Sequence, residues 1–188
     1  MYQAFIIAVM AIALAVVPSG RGKAAEYKDT AMLLGKLTEA KLSLANGIKQ
    51  AEQSHGFATS GKFEMKRDKL MLSVYTARDG RQKDAEHNVL MELLGDATRS
   101  AWEPETEVFE DKPHIARSAM QLTLMQISKL SLVDVIKKAE ATQKGTVYSA
   151  NPAVRNGNAV VDVLVATPDN KSVHLTVDLR NGKVSPAK

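Results

Sequence analysis

The chain has 188 residues, 25 Lys and Arg against 21 Asp and Glu (a formal net charge of +4), 45% hydrophobic residues and no cysteine. So small a positive balance, with no stripe of Lys or Arg interleaved with aromatics, argues against a nucleic-acid reader. The missing cysteines exclude disulfides, thiolate chemistry and a Cys-borne lipid anchor within this chain.

Ala4 to Val17 is an uncharged apolar run, followed by Pro18-Ser19-Gly20 and the small residues of Gly22-Lys23-Ala24. It is short for a membrane span, and residues 1–24 read as a secretory signal peptide. Because no Lys or Arg precedes the run, while Arg21 and Lys23 follow it, an uncleaved N-terminal anchor is the alternative. Cleavage after Ala24 would remove those two cations and lower the net charge to +2. An exported chain without disulfides points to the bacterial envelope, periplasmic or secreted.

Tyr27 to Leu37 predicts a helix with Ala31, Leu34 and Leu37 on one face. Ser43 suits an N-cap, with Leu44, Ile48 and Ala51 following at helical spacing. Leu70, Leu72 and Val74, then Val89, Met91 and Leu93, alternate as half-buried strands do, with Asp79-Gly80 turning between them. Residues 101–113 hold Trp102, several acids and two prolines and read as a linker. Pro113 fits the first turn of a helix running to Ile127. Ser131-Leu132-Val133-Asp134 is a capping box ahead of Leu132, Ile136 and Ala139. A strand at Val147 to Val154 precedes two alternating runs, Val161-Val163-Val165 and Val173-Leu175-Val177-Leu179. Asn156-Gly157 is a hairpin signal, because a two-residue type I′ turn needs positive φ at both positions. Pro168-Asp169-Asn170 and Asn181-Gly182 mark the later turns.

The chain also repeats. Lys41 to Glu52 returns 88 residues later as Lys129 to Glu140, with eight of twelve positions identical. The expectation is an α+β fold of two repeated units, each a helix on a three-stranded antiparallel sheet, with an additional helix before each. The first unit would span 25–100 and the second 114–188. Lys62 to Arg67 and Val147 to Val154 would be exposed meander edges.

Leu42-Ser43-Leu44 with Ile48-Lys49 and Ala51, the alternating strands, and the closing run Val177-Asp178-Leu179-Arg180-Asn181-Gly182-Lys183-Val184 resemble a PepSY domain. The likeness is fuller from Lys129 to Val184. In the first copy Glu92 stands where Asp178 does, and Asp96 takes the glycine position. The resemblance implies a non-catalytic module that inhibits or regulates a peptidase, and supplies no catalytic residues.

Residue chemistry points the same way. His55, His87, His114 and His174 form no metal-ligand spacing, and no nucleophile elbow, P-loop or dinucleotide fingerprint occurs. His174 and Asp178 share a strand face but lie about 13 Å apart, too far to ligate one ion. Ser43 and Ser131 are explained as N-caps and Asp178 as a turn carboxylate. The methionines read as core filling, and Trp102 as a plug between units or an anchor for a partner. No catalytic, cofactor-binding or metal residue is expected and no cofactor is implied. The expected partner is an envelope protein such as a peptidase, not nucleic acid, held along a free meander edge. The alternative is a sensor or scaffold that takes a small ligand or cell-wall component between the units.

Overall fold

A computed structural model describes residues 30–187. The leader at 1–24 and the start of the helix expected from Tyr27 lie outside the described residues. A helical segment at 30–36 passes into a 3-10 turn, Leu37–Glu39, whose Leu37 is buried. Three further helices follow in chain order: α1 (Leu44–His55), α2 (Lys112–Ile127) and α3 (Leu132–Thr142). The strands are β1 (Phe57–Lys66), β2 (Lys69–Ala77), β3 (Leu90–Asp96), β4 (Glu105–Val108), β5 (Thr146–Arg155), β6 (Asn158–Ala166), β7 (Ser172–Asp178) and β8 (Val184–Pro186).

The strands form one antiparallel sheet of eight in the order β4-β3-β2-β1-β5-β6-β7-β8. This overturns the expected pair of separate three-stranded sheets. Two four-stranded meanders are fused where β1 meets β5, through the pairs Gly61 with Ala150 and Lys62 with Ser149. The two halves have matching dimensions. β1 and β5 have 10 residues each, β2 and β6 have 9, and β3 and β7 have 7. A bulge between Ala58 and Ser60 answers one between Val147 and Ser149.

Two further expectations change with the topology. Lys62 to Arg67 and Val147 to Val154 fall mainly on the two central strands, not on edges. Residues 101–113, read as a linker, contain the edge strand β4 and two buried aromatics, Trp102 and Phe109. The Trp102 carbonyl accepts from Gln50 Nε2 of α1 at 2.9 Å. Its indole covers Gly95, where a Cβ would stand 2.5 Å from the ring nitrogen. Trp102 is therefore a fastener of the N-terminal half, lying between β3 and α1.

One face of the sheet is predominantly apolar. Gly61 faces Leu44 and Ile48 of α1, and strict alternation then puts Phe63, Leu72, Val74 and Leu93 on that side. Across the seam Ala150, Val163, Leu175 and Val177 lie on the same side under α3. Leu44, Ile48, Leu72, Leu93, Ile136, Val163 and Val177 belong to a single buried cluster, so one core serves both halves. The helices start as their sequences dictate. Ser43 accepts from the Asn46 amide, while Ser131 and Asp134 exchange both bonds of a capping box.

α2 lies against the other face. The Ser60 hydroxyl donates to Gln121 Oε1 at 3.0 Å, and a second small cluster of Tyr75, Ala77, Leu90, Phe109 and Leu122 forms there. Tyr75 and Phe109 meet edge to face at 4.8 Å. The end of α2 is tied to the β2–β3 connection. Gln126 Nε2 donates to the carbonyls of Arg81 and Lys83, and Arg81 donates to those of Gln126 and Ser128.

The two inner hairpins turn with different residues. Asn156-Gly157 (φ 50° and 75°) makes the expected turn, but its counterpart is Arg67-Asp68 at φ 51° and 63°. A β-carbon in the left-handed region costs about 1–2 kcal/mol per residue, least for Asn or Asp, so Arg67-Asp68 stores strain that Asn-Gly would not. The double substitution R67N/D68G should stabilise the protein by about 1 kcal/mol, read as a higher urea midpoint at unchanged m-value.

Candidate functional site

Both edges of the sheet are blunted. β4 is four exposed residues, Glu-Thr-Glu-Val, with Glu107 directly opposite Glu92 of β3. β8 is three residues long and ends in Pro186, which has no amide to donate. Neither is an extended free edge of the kind a strand-adding partner needs.

The surface that stands open is the second face of β6, β7 and β8. Alternation places Val160, Asp162 and Leu164 there from β6, and His174, Thr176 and Asp178 from β7, with Thr176 opposite Ser185 of β8. α3 packs on the far side of these strands. α2 sits over β1, β3 and β5, so no described helix is packed on this face. A shallow depression of about 420 Å³ is lined by Arg155, Asn158, His174, Asp178 and Lys183 among others. Arg155 grips Asp162 through Nε at 3.0 Å and one terminal nitrogen at 2.6 Å. His174 Nε2 lies 3.2 Å from the other carboxylate oxygen. Asp162 thus aligns a guanidinium and an imidazole side by side on three neighbouring strands, and its bonds hold the Arg155 guanidinium yet more firmly charged.

Asp178 closes this surface. Its carboxylate accepts from the amides of Arg180 (2.8 Å) and Asn181 (3.3 Å), and those bonds, with the Arg180 charge beside them, hold its pKa below the usual range. Gly182 at φ 71° completes the turn, and Arg180 donates to Asn158 at 2.7 Å.

A second recess lies at the seam, beneath α2. It is about 330 Å³ and is lined by Ser60, Lys62, Ser73, Tyr75, Arg117, Met120, Gln121 and Asn151, with Gly61 and Pro152 beside them. Burial and the Glu92 charge raise the Tyr75 pKa, against the opposing pull of Arg117. Its phenol is protonated at neutral pH.

The histidines are dispersed. His55 bonds Ser54 at 2.6 Å, His87 bonds Asp84 at 2.7 Å, and His114 bonds Asp111 at 2.6 Å while stacking on Phe109. Only His174 stands in the open depression, and its partner is Asp162, not Asp178. Among the described residues no three His, Asp or Glu side chains converge as a metal site. Sequence reasoning missed Asp162 and Arg155. Their link is cross-strand and becomes visible only once Asn156-Gly157 fixes the β5–β6 register.

No protein-family model matches the chain, and no curated protein does. Among solved structures, the crystal structure of a putative lipoprotein from Clostridium difficile 630 aligns at 14% identity with a TM-score of 0.37. The alignment covers 76% of this chain and 88% of that one. So loose a superposition carries no argument about fold or function. Among the described residues no helix is long and apolar enough to cross a membrane.

The Asp178 turn gives a test with a definite sign. A carboxylate whose folded pKa is depressed stabilises above its unfolded value near 3.9 and loses that contribution as pH falls through the folded value. Asp178→Ala should cost about 1 kcal/mol at pH 7, and the gap to wild type should close as pH falls below 4, followed by urea unfolding across pH.

Proposed function

We propose that this chain is an exported, non-catalytic binding protein that docks on another envelope protein through the open face of β6–β8. The observation that carries the reading is the set Arg155, Asp162 and His174. These are two charged groups and an imidazole held in fixed geometry on the one broad sheet surface without a described helical cover. Such a surface offers preorganised polar contacts at little entropic cost, because Asp162 already restrains both neighbours. The apolar leader supports export, and the duplicated helix supports descent of the two halves from one module. A peptidase is the partner class that the PepSY likeness implies. Its regulation would follow from occlusion, with the rigid sheet covering a cleft.

The reading departs from edge docking, since β4 carries acids and β8 ends in proline. The contact is instead face-on, and charge reversal should weaken it without unfolding the protein. Arg155→Glu and His174→Glu stand on exposed side chains, and exposed ion pairs are worth at most about 1 kcal/mol.

Photo-crosslinking residues at 174 and 176, compared with one at exposed Lys49 on α1, test the surface directly in envelope preparations. The account expects a discrete adduct from 174 and 176, lost in the Arg155→Glu background, and none from 49. Inhibition of a thermolysin-type peptidase by the purified chain is the finer test. Equal labelling from all three positions would discard the β6–β8 face as the docking surface.

A further inference from the structure

We propose that the recess at the β1–β5 seam is a separate binding site for the C-terminal carboxylate of a short peptide. The lining contains two cations, Lys62 and Arg117, and no carboxylate. Two acids flank it, each bonded to a lining residue: Glu64 pairs with Lys62, and Glu92 accepts from the Ser73 hydroxyl, so Arg117 is the cation that carries the proposal. Arg117 forms no ion pair among the described residues and stands at the mouth of the recess. A guanidinium with free donors beside a protonated phenol suits a planar carboxylate.

The neutral groups say what lies next to that carboxylate. Gln121 is one helical turn beyond Arg117, so the two share a face of α2. Its carbonyl is occupied by the Ser60 hydroxyl, which fixes the amide so that Nε2 is the group left to donate. Both residues are only 3% exposed, and they sit at the recess wall. Across the seam Asn151 uses its Nδ2 to donate to Ser149 Oγ at 2.6 Å, leaving Oδ1 as an acceptor. The recess therefore offers donors for an anion and an acceptor beside them. A peptide terminus presents that pairing, a carboxylate followed by the N–H of its own residue. Sulfate, which carries no proton to donate at neutral pH, would meet Asn151 Oδ1 as a repulsive neighbour. Met120 and Pro152 supply apolar wall for a small side chain, and about 330 Å³ suits a dipeptide-sized ligand at the lower end of small-molecule sites.

The site uses residues of α2, β1, β2 and β5 and none of the β6–β8 surface, so it stands or falls independently of the docking reading. Two sources share the chemistry: protein C-termini, which end in L-residues, and cell-wall stem peptides, which end in D-alanine.

The test is calorimetric titration of the full chain with N-acetyl-L-alanyl-L-alanine and N-acetyl-D-alanyl-D-alanine, each also as its C-terminal amide. Saturable binding of at least one free acid is expected, weakened tenfold or more by amidation. Arg117→Gln should weaken it by a similar factor, Arg117→Lys by less, and Lys49→Gln not at all, with far-UV circular dichroism confirming the fold of each variant. Preference for the D,D form assigns the site to cell-wall peptides, and preference for the L,L form to protein termini. Equal affinity for acid and amide, indifference to Arg117→Gln, or no saturable binding by either acid would overturn the proposal.

Discussion

The structure depends on the close approach of two small residues. Gly61 and Ala150 face each other where β1 meets β5, and both are buried beneath the helical layer. A Cβ on Gly61 would lie 3.2 Å from terminal carbons of both Leu44 and Ile48. The absent side chain lets α1 sit low on the sheet, where it meets α3 and joins the two apolar surfaces into one cluster. Two backbone residue pairs would be a weak joint alone. The helices above them supply the apolar burial that makes it a core, and burial rather than ladder length sets the strength of such a junction.

The division of labour between the faces follows from that joint. One face is used up by the shared core. The other is covered by α2 only over the N-terminal half and the seam, because α2 must reach from the β4 edge back to the start of α3. This leaves β6–β8 with polar residues at alternate positions, a pattern an antiparallel sheet tolerates when one face meets water. The seam recess has the same origin. α2 spans strands that pair at only two positions, and the gap beneath it is lined by hydroxyls and amides. Ser118 of α2 also holds a buried hydroxyl oxygen without a described protein partner, so this side of the sheet is polar below its surface.

What could be read from the sequence was local. The N-caps at Ser43 and Ser131, the Asn156-Gly157 turn and the two-residue periods of Val161–Val165 and Leu70–Val74 each rest on neighbouring residues. The structure places a helix start, a hairpin or a strand at each. What failed was non-local. The seam strand β1 reads Thr59-Ser60-Gly61-Lys62 at its crossing, which has the look of an exposed segment. Its burial comes from α1 on one side and α2 on the other. β4 was hidden because Glu-Thr-Glu-Val is short and acidic with no buried side chain, and it owes its place to the β3 ladder. Arg67-Asp68 lacks the glycine that announces a hairpin. At the surface, His174 and Asp178 were expected on one strand face but too far apart to share an ion, and the partner that His174 has is Asp162 on the adjacent strand. Cross-strand neighbours cannot be assigned until register is known.

The central claim is that the two meanders are one cooperative body joined at Gly61 and Ala150. Native-state hydrogen exchange tests it most directly, by comparing amides of β2 and β3 with those of β6 and β7 under increasing urea. The account predicts that the slowest amides of both halves converge on one opening free energy and one urea dependence, including those at the seam. Two separate values, with the seam amides exchanging ahead of both, would contradict it and leave two independent sheets that only touch.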